Sequence, residues 1–300
     1  MKVRIFLLVG VIAAVLVILF ALFITPMFID TKEARVFVAA KALDKEGKAD
    51  EAIKEYERMI AEYPQSKRAG QAYISLAALY EKQSKLVEAR DAYKKAFETY
   101  PDLAIVKNAK GKIKDLNIKI LFSPLVDSSS RIYEVQAGDS LGKIAKVFGT
   151  TVDLLKKSNN LTGDMIKQGI RLKVVTAKFS VVVDKSQNVL FLKENEDIIK
   201  TYKVSTGVNN STPVGTFKIE SKLVDPVWYS AGAVVPAGSP ENILGTRWLG
   251  ISKPGYGIHG TTDPASLGKQ VTAGCVRMLD TDAEELYAIL PTGTEVTIVD

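Results

Sequence analysis

The sequence predicts a multidomain chain: an N-terminal transmembrane helix, an all-α region of helical repeats, a small α+β module of βααβ order, and a mainly-β, sandwich-like C-terminal domain. Three observations carry that prediction. Ile5 to Ile24 is an uncharged, apolar run. The pattern of residues 44–64 returns at 81–101, with helical spacing in both copies. From Phe179 onward the apolar period shortens to two, as in a strand buried on one face. With 300 residues, 47% of them hydrophobic, the chain can build two or three cores, and wholesale disorder is excluded.

Lys2 and Arg4 stand just before the apolar run. As a helix that run spans about 30 Å, the thickness of a hydrocarbon core. A cleaved signal peptide has a shorter apolar region and small residues at its cleavage site, which Phe23, Ile24, Pro26 and Met27 do not supply. Residues 1–30 are therefore expected to form a cytoplasmic tip and a signal anchor in the membrane. The positive-inside rule then puts the chain from about Asp30 onward on the extracytoplasmic side, in the periplasm or facing the wall.

Residues 31–120 are rich in Ala, Lys, Glu and Leu. The repeat matches Glu51 with Glu88, Ala52 with Ala89, Tyr56 with Tyr93, Tyr63 with Tyr100 and Pro64 with Pro101. Within each copy Ala, Tyr and a bulky apolar residue recur three to four positions apart, which draws one apolar face along a helix. The Tyr-Pro pair ends that helix, because proline lacks an N–H and disfavours helix in the residue before it. The pattern resembles tetratricopeptide helix pairs, about two of them, with a closing helix near 104–120. The resemblance implies either a spacer or a short groove for a protein partner.

Residues 121–130 (LFSPLVDSSS) break the periodicity and read as a linker. In 131–175, Tyr133 and Val135 alternate as a short strand, Gly138-Asp139-Ser140 turns the chain and offers a helix cap, and Leu141, Ile144, Ala145 and Phe148 share one helix face. Gly149 ends that helix, Thr151 caps a second one, and Gly169 to Val174 returns as a strand. Read in order, YEVQAGDSLGKIAKVF, the Asn160-Leu161 turn and the closing GIRLKV resemble a LysM module. The resemblance implies two helices on a two-stranded sheet and a peptidoglycan glycan strand as ligand. The groove it implies lies at Gly138 and Asp139 on one loop and Asn160 and Leu161 on the other.

Residues 176–300 are expected to be β-rich. Ser180 to Asp184 and Val189 to Leu192 flank a polar turn, Ile199 to Ser205 alternates, Thr212 to Ile219 turns into a further strand, and Gly293 to Val299 makes the last one. One helix is expected at 281–290, with acidic residues at its N-terminal end, where the helix dipole favours them. Many short strands with turns between them argue for a sandwich or a partly open barrel. The formal charge of +6 divides into +5 for 31–120, +4 for 131–175 and −3 for 176–300. No stretch has the arginine-rich, aromatic-interleaved stripe of a nucleic-acid binder. The basic front half suits an anionic surface.

The chain has one histidine, His259, and one cysteine, Cys275, each in a glycine-bearing turn. One cysteine excludes an intramolecular disulfide, and in an exported chain an unpaired thiol points to reactivity. An imidazole that takes the proton from a thiol makes it a nucleophile for carbonyl carbon, so the pair suits acyl transfer. Gly274 permits backbone geometry that other residues resist, and amides at Gly274 and Cys275 could face an oxyanion. No Asp or Glu adjoins His259 in sequence, so the residues name no carboxylate to orient the ring, and a backbone carbonyl could hold its other nitrogen instead.

The TPVGTF strand, IHGT and TAGCVRM stand at a spacing that resembles the L,D-transpeptidase (YkuD-like) catalytic domain over 178–300. The resemblance implies a β-rich, metal-free and cofactor-free extracytoplasmic enzyme. It assigns Cys275 as nucleophile, His259 as base and acid, Gly260 as the backbone partner of the imidazole, and Gly274 and Cys275 as oxyanion donors. Thr272 meets the family's Ser-or-Thr position, and Arg277 would hold an anionic substrate or the loop. Where the family often has a second histidine, this chain has Ala273. The implied reaction joins a peptidoglycan stem to Cys275 as a thioester with loss of D-alanine. An amine, water or a protein lysine then takes the acyl group.

Overall fold

The computed structural model describes residues 32–230 and 232–300. The expected membrane anchor at 1–30 lies outside the described residues, and among those described no helix is long and apolar enough to cross a membrane. The chain divides into two compact units, 1–113 and 114–300.

The first unit is helical: α1 (Lys32–Lys45), α2 (Ala49–Glu62), α3 (Lys67–Lys82), α4 (Leu86–Thr99), the single turn α5 (Ala104–Lys107) and the start of α6 (Ala109–Leu121). The repeated residues fall on α2 and α4, and their small and aromatic members are the buried ones: Ala52, Tyr56, Ala89 and Tyr93. Tyr63 and Tyr100 cap the C-termini of these two helices just before their prolines. Val36, Ala40, Ile53, Met59, Leu76 and Leu79 close a core between α1, α2 and α3.

The second unit begins with the rest of α6, whose Ile118 and Leu121 are buried in the main core. A βααβ segment comes next: β1 (Ser130–Glu134), α7 (Leu141–Phe148), α8 (Val152–Ser158) and β2 (Arg171–Val175), with β1 and β2 antiparallel. The expected caps are all in place. Ser140 Oγ accepts the Lys143 N–H, Gly149 ends α7 at φ +64, and Thr151 Oγ1 accepts the Leu154 N–H at 2.8 Å. Leu141, Ile144 and Ala145 form the buried face of α7 against Leu155, Leu172 and Val174.

Residues 121–130 are not a free tether. The buried Lys173 ammonium on β2 donates to the carbonyls of Ile120 at 2.6 Å and Ser123 at 2.9 Å, fastening the end of α6 to this sheet. The βααβ segment is also joined to the C-terminal β-rich domain: Leu154 of α8 enters the main core, and the Thr151 hydroxyl donates to the Ala288 carbonyl.

The remaining residues form β3 (Phe179–Asp184), β4 (Val189–Glu194), β5 (Asp197–Lys203), β6 (Thr206–Gly207), β7 (Gly215–Val224), β8 (Trp228–Ser230), β9 (Ala233–Val235), β10 (Arg247–Ile251), β11 (Gly257–His259), β12 (Gln270–Thr272), β13 (Val276–Arg277), α9 (Asp280–Ile289) and β14 (Glu295–Val299). Instead of two stacked sheets, eight strands form one ladder in the order β13-β11-β10-β7-β14-β3-β4-β5. The ten-residue strand β7 makes that continuity. Gly215 to Lys218 pairs with β14, while Ile219 to Val224 pairs with β10. Both halves of the sheet contribute to one core around α9, with Val181, Leu190, Leu249, Ile258, Val276, Leu286 and Val296 all buried. A sheet whose two ends pack on the same helix must curl, which is why it reads as sandwich-like in sequence.

Candidate active site

Strands β11 and β13 run parallel, with Ile258 beside Val276 and His259 beside Arg277. Side chains alternate across a strand, so Ile258 and Val276 enter the core while His259 and Arg277 face the other way. Carrying the register one residue back sets Cys275 beside Gly257, on the same face as His259. Diagonal neighbours of this kind lie about 7–8 Å apart at Cα, within reach of an imidazole and a thiol. Gly257, between them along the strand, adds no side chain of its own. A Cβ there would lie 2.7 Å from the Trp248 ring and 2.8 Å from the Leu249 carbonyl. Trp248, opposite His259 on β10, stacks on the imidazole at 6.0 Å between centroids and 19° between planes.

His259 is buried, and its Nδ1–H donates to the Gly260 carbonyl at 2.7 Å. That bond fixes the proton on Nδ1 and leaves Nε2 with its lone pair. Burial pulls the imidazole pKa down to about 4 against the opposing pull of the Gly260 carbonyl, and the Arg277 charge lowers it further. Cys275 is half-buried, and its Sγ–H faces the Gly255 carbonyl at 3.6 Å. Burial pushes the thiol up, while the Gly257 backbone and Arg277 favour the thiolate. Burial thus favours the thiol form of Cys275 and the neutral form of His259.

The turn before Cys275 is stapled by Thr272, whose hydroxyl donates to the Cys275 carbonyl at 2.6 Å and accepts the Gly274 N–H at 3.1 Å. The Gly274 N–H, expected as an oxyanion donor, is thus bonded within the turn. What requires glycine at 274 is its φ of +129 and the Tyr256 ring 2.6 Å from where a Cβ would be. Gly207 braces the turn from the side, since a Cβ there would come within 2.9 Å of the Gly274 Cα. Ala273 is exposed.

Arg277 donates through Nη1 to Ser266 Oγ at 3.2 Å, while its buried Nε has no protein partner. A buried guanidinium nitrogen with no acceptor is an unspent donor. Below the loop after His259, Asp280 Oδ1 accepts the Thr261 N–H at 2.9 Å and the Thr246 N–H at 3.1 Å.

Sequence reasoning did not single out Asp280, Trp248 or Gly207. Asp280 carried a partial signal, as an acid at the start of a helix, but Trp248 and Gly207 reach the site only through strand pairing.

The residues expected to bind glycan lie on the βααβ elements, apart from the thiol–imidazole pair. Gly138 turns the chain at φ +81, and Asp139 Oδ2 is occupied within its own loop by the Tyr133 hydroxyl at 2.7 Å and the Gln136 N–H at 2.8 Å. Asn160 is exposed at φ +54, while Leu161 packs against the module's core.

A thiol and a neutral imidazole held on one face of a curled sheet, with an unpaired guanidinium nitrogen on the neighbouring residue pair, make a candidate site for acyl transfer. Comparison with known proteins narrows that class. Residues 178–298 match the L,D-transpeptidase catalytic domain (YkuD), residues 133–175 the LysM domain and residues 37–66 a tetratricopeptide repeat. The chain is 34% identical over 175 residues to a Bacillus licheniformis protein that carries the name L,D-transpeptidase YkuD, covering 56% of this chain and 98% of that protein. A Bacillus subtilis protein of the same name is 34% identical over 173 residues, covering 55% and 97%. The solved structure of an L,D-transpeptidase from Mycobacterium smegmatis superposes with a TM-score of 0.35 at 21% identity, over 44% of this chain and 64% of its own. The chain belongs to the L,D-transpeptidase (YkuD) family. Its C-terminal domain is a peptidoglycan transpeptidase domain, preceded by a LysM module and a tetratricopeptide repeat.

Proposed function

We propose that Cys275 is the nucleophile of this transpeptidase and His259 its base and acid. The observation that carries the reading is the placement of both on one face across Gly257, with the ring proton held on Nδ1 by the Gly260 carbonyl. The Cys275 proton passes to His259 Nε2 as sulfur attacks the amide carbonyl between the diamino acid at the third position of a stem peptide and its terminal D-alanine. The Cys275 N–H faces the oxyanion that forms. Nε2–H then protonates the departing amine of D-alanine, leaving a thioester on Cys275. An acceptor amine attacks the thioester, gives its proton to Nε2 and restores the thiol. An amine on a neighbouring stem gives a cross-link, water gives hydrolysis, and a lysine of another protein gives anchoring. Arg277 Nε, buried and without a protein acceptor, suits the carboxylate of the leaving D-alanine.

The LysM module supplies affinity for the glycan strand, and the N-terminal apolar run anchors the chain with its catalytic part outside the membrane. The two together replace a free search by a tethered one, which raises the local concentration of stems at the thiol. The helical repeats set the reach from the membrane or hold a protein partner.

The test is the mass of disaccharide-tetrapeptide after incubation with the full-length chain in detergent, beside Cys275→Ala. Loss of D-alanine with a new dimer in the wild type alone supports the reading. Release of D-alanine by Cys275→Ala at the wild-type rate removes the nucleophile from it.

A further inference from the structure

The His259 ring is held by a carbonyl, and that carbonyl is itself held. The Gly260 C=O that accepts Nδ1–H and the Thr261 N–H belong to the same peptide unit, and the Thr261 N–H is bonded to Asp280 Oδ1 at 2.9 Å. A carboxylate, a planar peptide and an imidazole thus stand in one line of hydrogen bonds. We propose that Asp280 is the positioning carboxylate of the His259 base, acting through the Gly260–Thr261 peptide.

The surroundings fit that role. Oδ1 also takes the Thr246 N–H at 3.1 Å, so two chain segments converge on one oxygen. A Cβ at Gly260 or at Gly245 would overlap that oxygen, so both glycines keep the backbone close enough to bond it. From the other side the Gly260 N–H is fixed by the Arg247 carbonyl at 3.2 Å, and the His259 carbonyl by the Met278 N–H at 2.9 Å. The peptide has no freedom to turn its oxygen away from the ring while Asp280 holds it.

A peptide that donates to a carboxylate is polarised, which makes its carbonyl a better acceptor. That favours the Nδ1–H form of the ring and steadies the positive charge that develops when Nε2 takes the thiol proton. A carboxylate that bonds an imidazole directly does the same work with one fewer link. Here the peptide supplies the missing link.

The inference rests on His259 as the base, and its test separates the two claims because the histidine is the only one in the chain. In the full-length protein labelled with 15N-histidine, the ring nitrogens report the tautomer directly, whatever the enzyme's turnover. The wild type is expected to show the proton on Nδ1. In Asp280→Ala a signal for the Nε2–H form appears, and kcat falls about 30-fold with KM within about twofold, as expected when a base is misaligned. Asp280→Asn keeps an oxygen for the same two N–H groups but not the charge. It is expected to melt within a few degrees of the wild type, to retain the Nδ1–H signal and to lose about three- to tenfold in kcat.

A purely structural role for Asp280 would move the melting temperature alone. Wild-type kcat in Asp280→Asn, or an unchanged ring signal in folded Asp280→Ala, would overturn the proposal. A His259→Gln protein that turns over at the wild-type rate would count against His259 as base, while the ring signals of the wild type and Asp280→Ala would still decide whether Asp280 sets the tautomer.

Discussion

Burial of His259 decides how the site responds to acid. With the folded pKa near 4 and an ordinary value of 6.5, the unfolded chain binds the extra proton between those limits. Stability therefore rises with pH from about 4 to about 6.5, and this group costs the fold about 3 kcal/mol at the acid end. Thermal unfolding of the wild type beside His259→Gln is expected to show the difference, with the mutant's stability less steep across that window. For the same reason the acid limb of kcat/KM is expected near pH 4, where an exposed imidazole would give a limb near 6.5.

Gly257→Ala is the sharpest single change at this scale. The added methyl displaces the Trp248 ring that stacks on His259, and kcat is expected to fall by more than about tenfold. His259 and Cys275 were legible because each is the only residue of its kind. Asp280 and Trp248 were not, since 21 and 11 positions separate them from His259, and only the curled sheet and the start of α9 bring them near.

At the scale of elements, the caps and turns were the readable part. Ser140, Gly149 and Thr151 bound α7 and α8 as local chemistry requires, and the prolines after Tyr63 and Tyr100 end α2 and α4. The single eight-stranded ladder was not legible, because β7 pairs with two partners that lie far apart in sequence. Nor was the fastening of the LysM module. Its Thr151 bonds the Ala288 carbonyl, its Leu154 enters the main core and its Lys173 holds the end of α6. The module and the catalytic domain are therefore expected to unfold in one transition. Thr151→Val should lower stability by about 2 kcal/mol, since it leaves the Ala288 carbonyl without a donor and removes the cap of α8, and Lys173→Met by about 2 kcal/mol, since it leaves the Ile120 and Ser123 carbonyls without one. Calorimetry in which the LysM module melts first and separately would contradict that coupling.

For the whole molecule, the parts stand in one order along the chain. An apolar N-terminal run, a tetratricopeptide repeat, a LysM module and an L,D-transpeptidase domain succeed one another along 300 residues. That order was readable from periodicity and motifs alone, since each part announces itself locally. On the proposed tethering, Asn160→Ala in the exposed turn of the LysM module should weaken retention on purified wall sacculi and leave turnover of soluble stem peptides unchanged. A pull-down of both forms on sacculi measures it.

If acyl transfer runs through Cys275, the intact mass of the protein itself shows it. The full-length chain, quenched in acid during turnover of disaccharide-tetrapeptide, should carry one added acyl group less D-alanine, lost on treatment with hydroxylamine and absent from Cys275→Ala. Turnover with release of D-alanine by a protein that never carries that adduct, or by Cys275→Ala itself, would contradict the account.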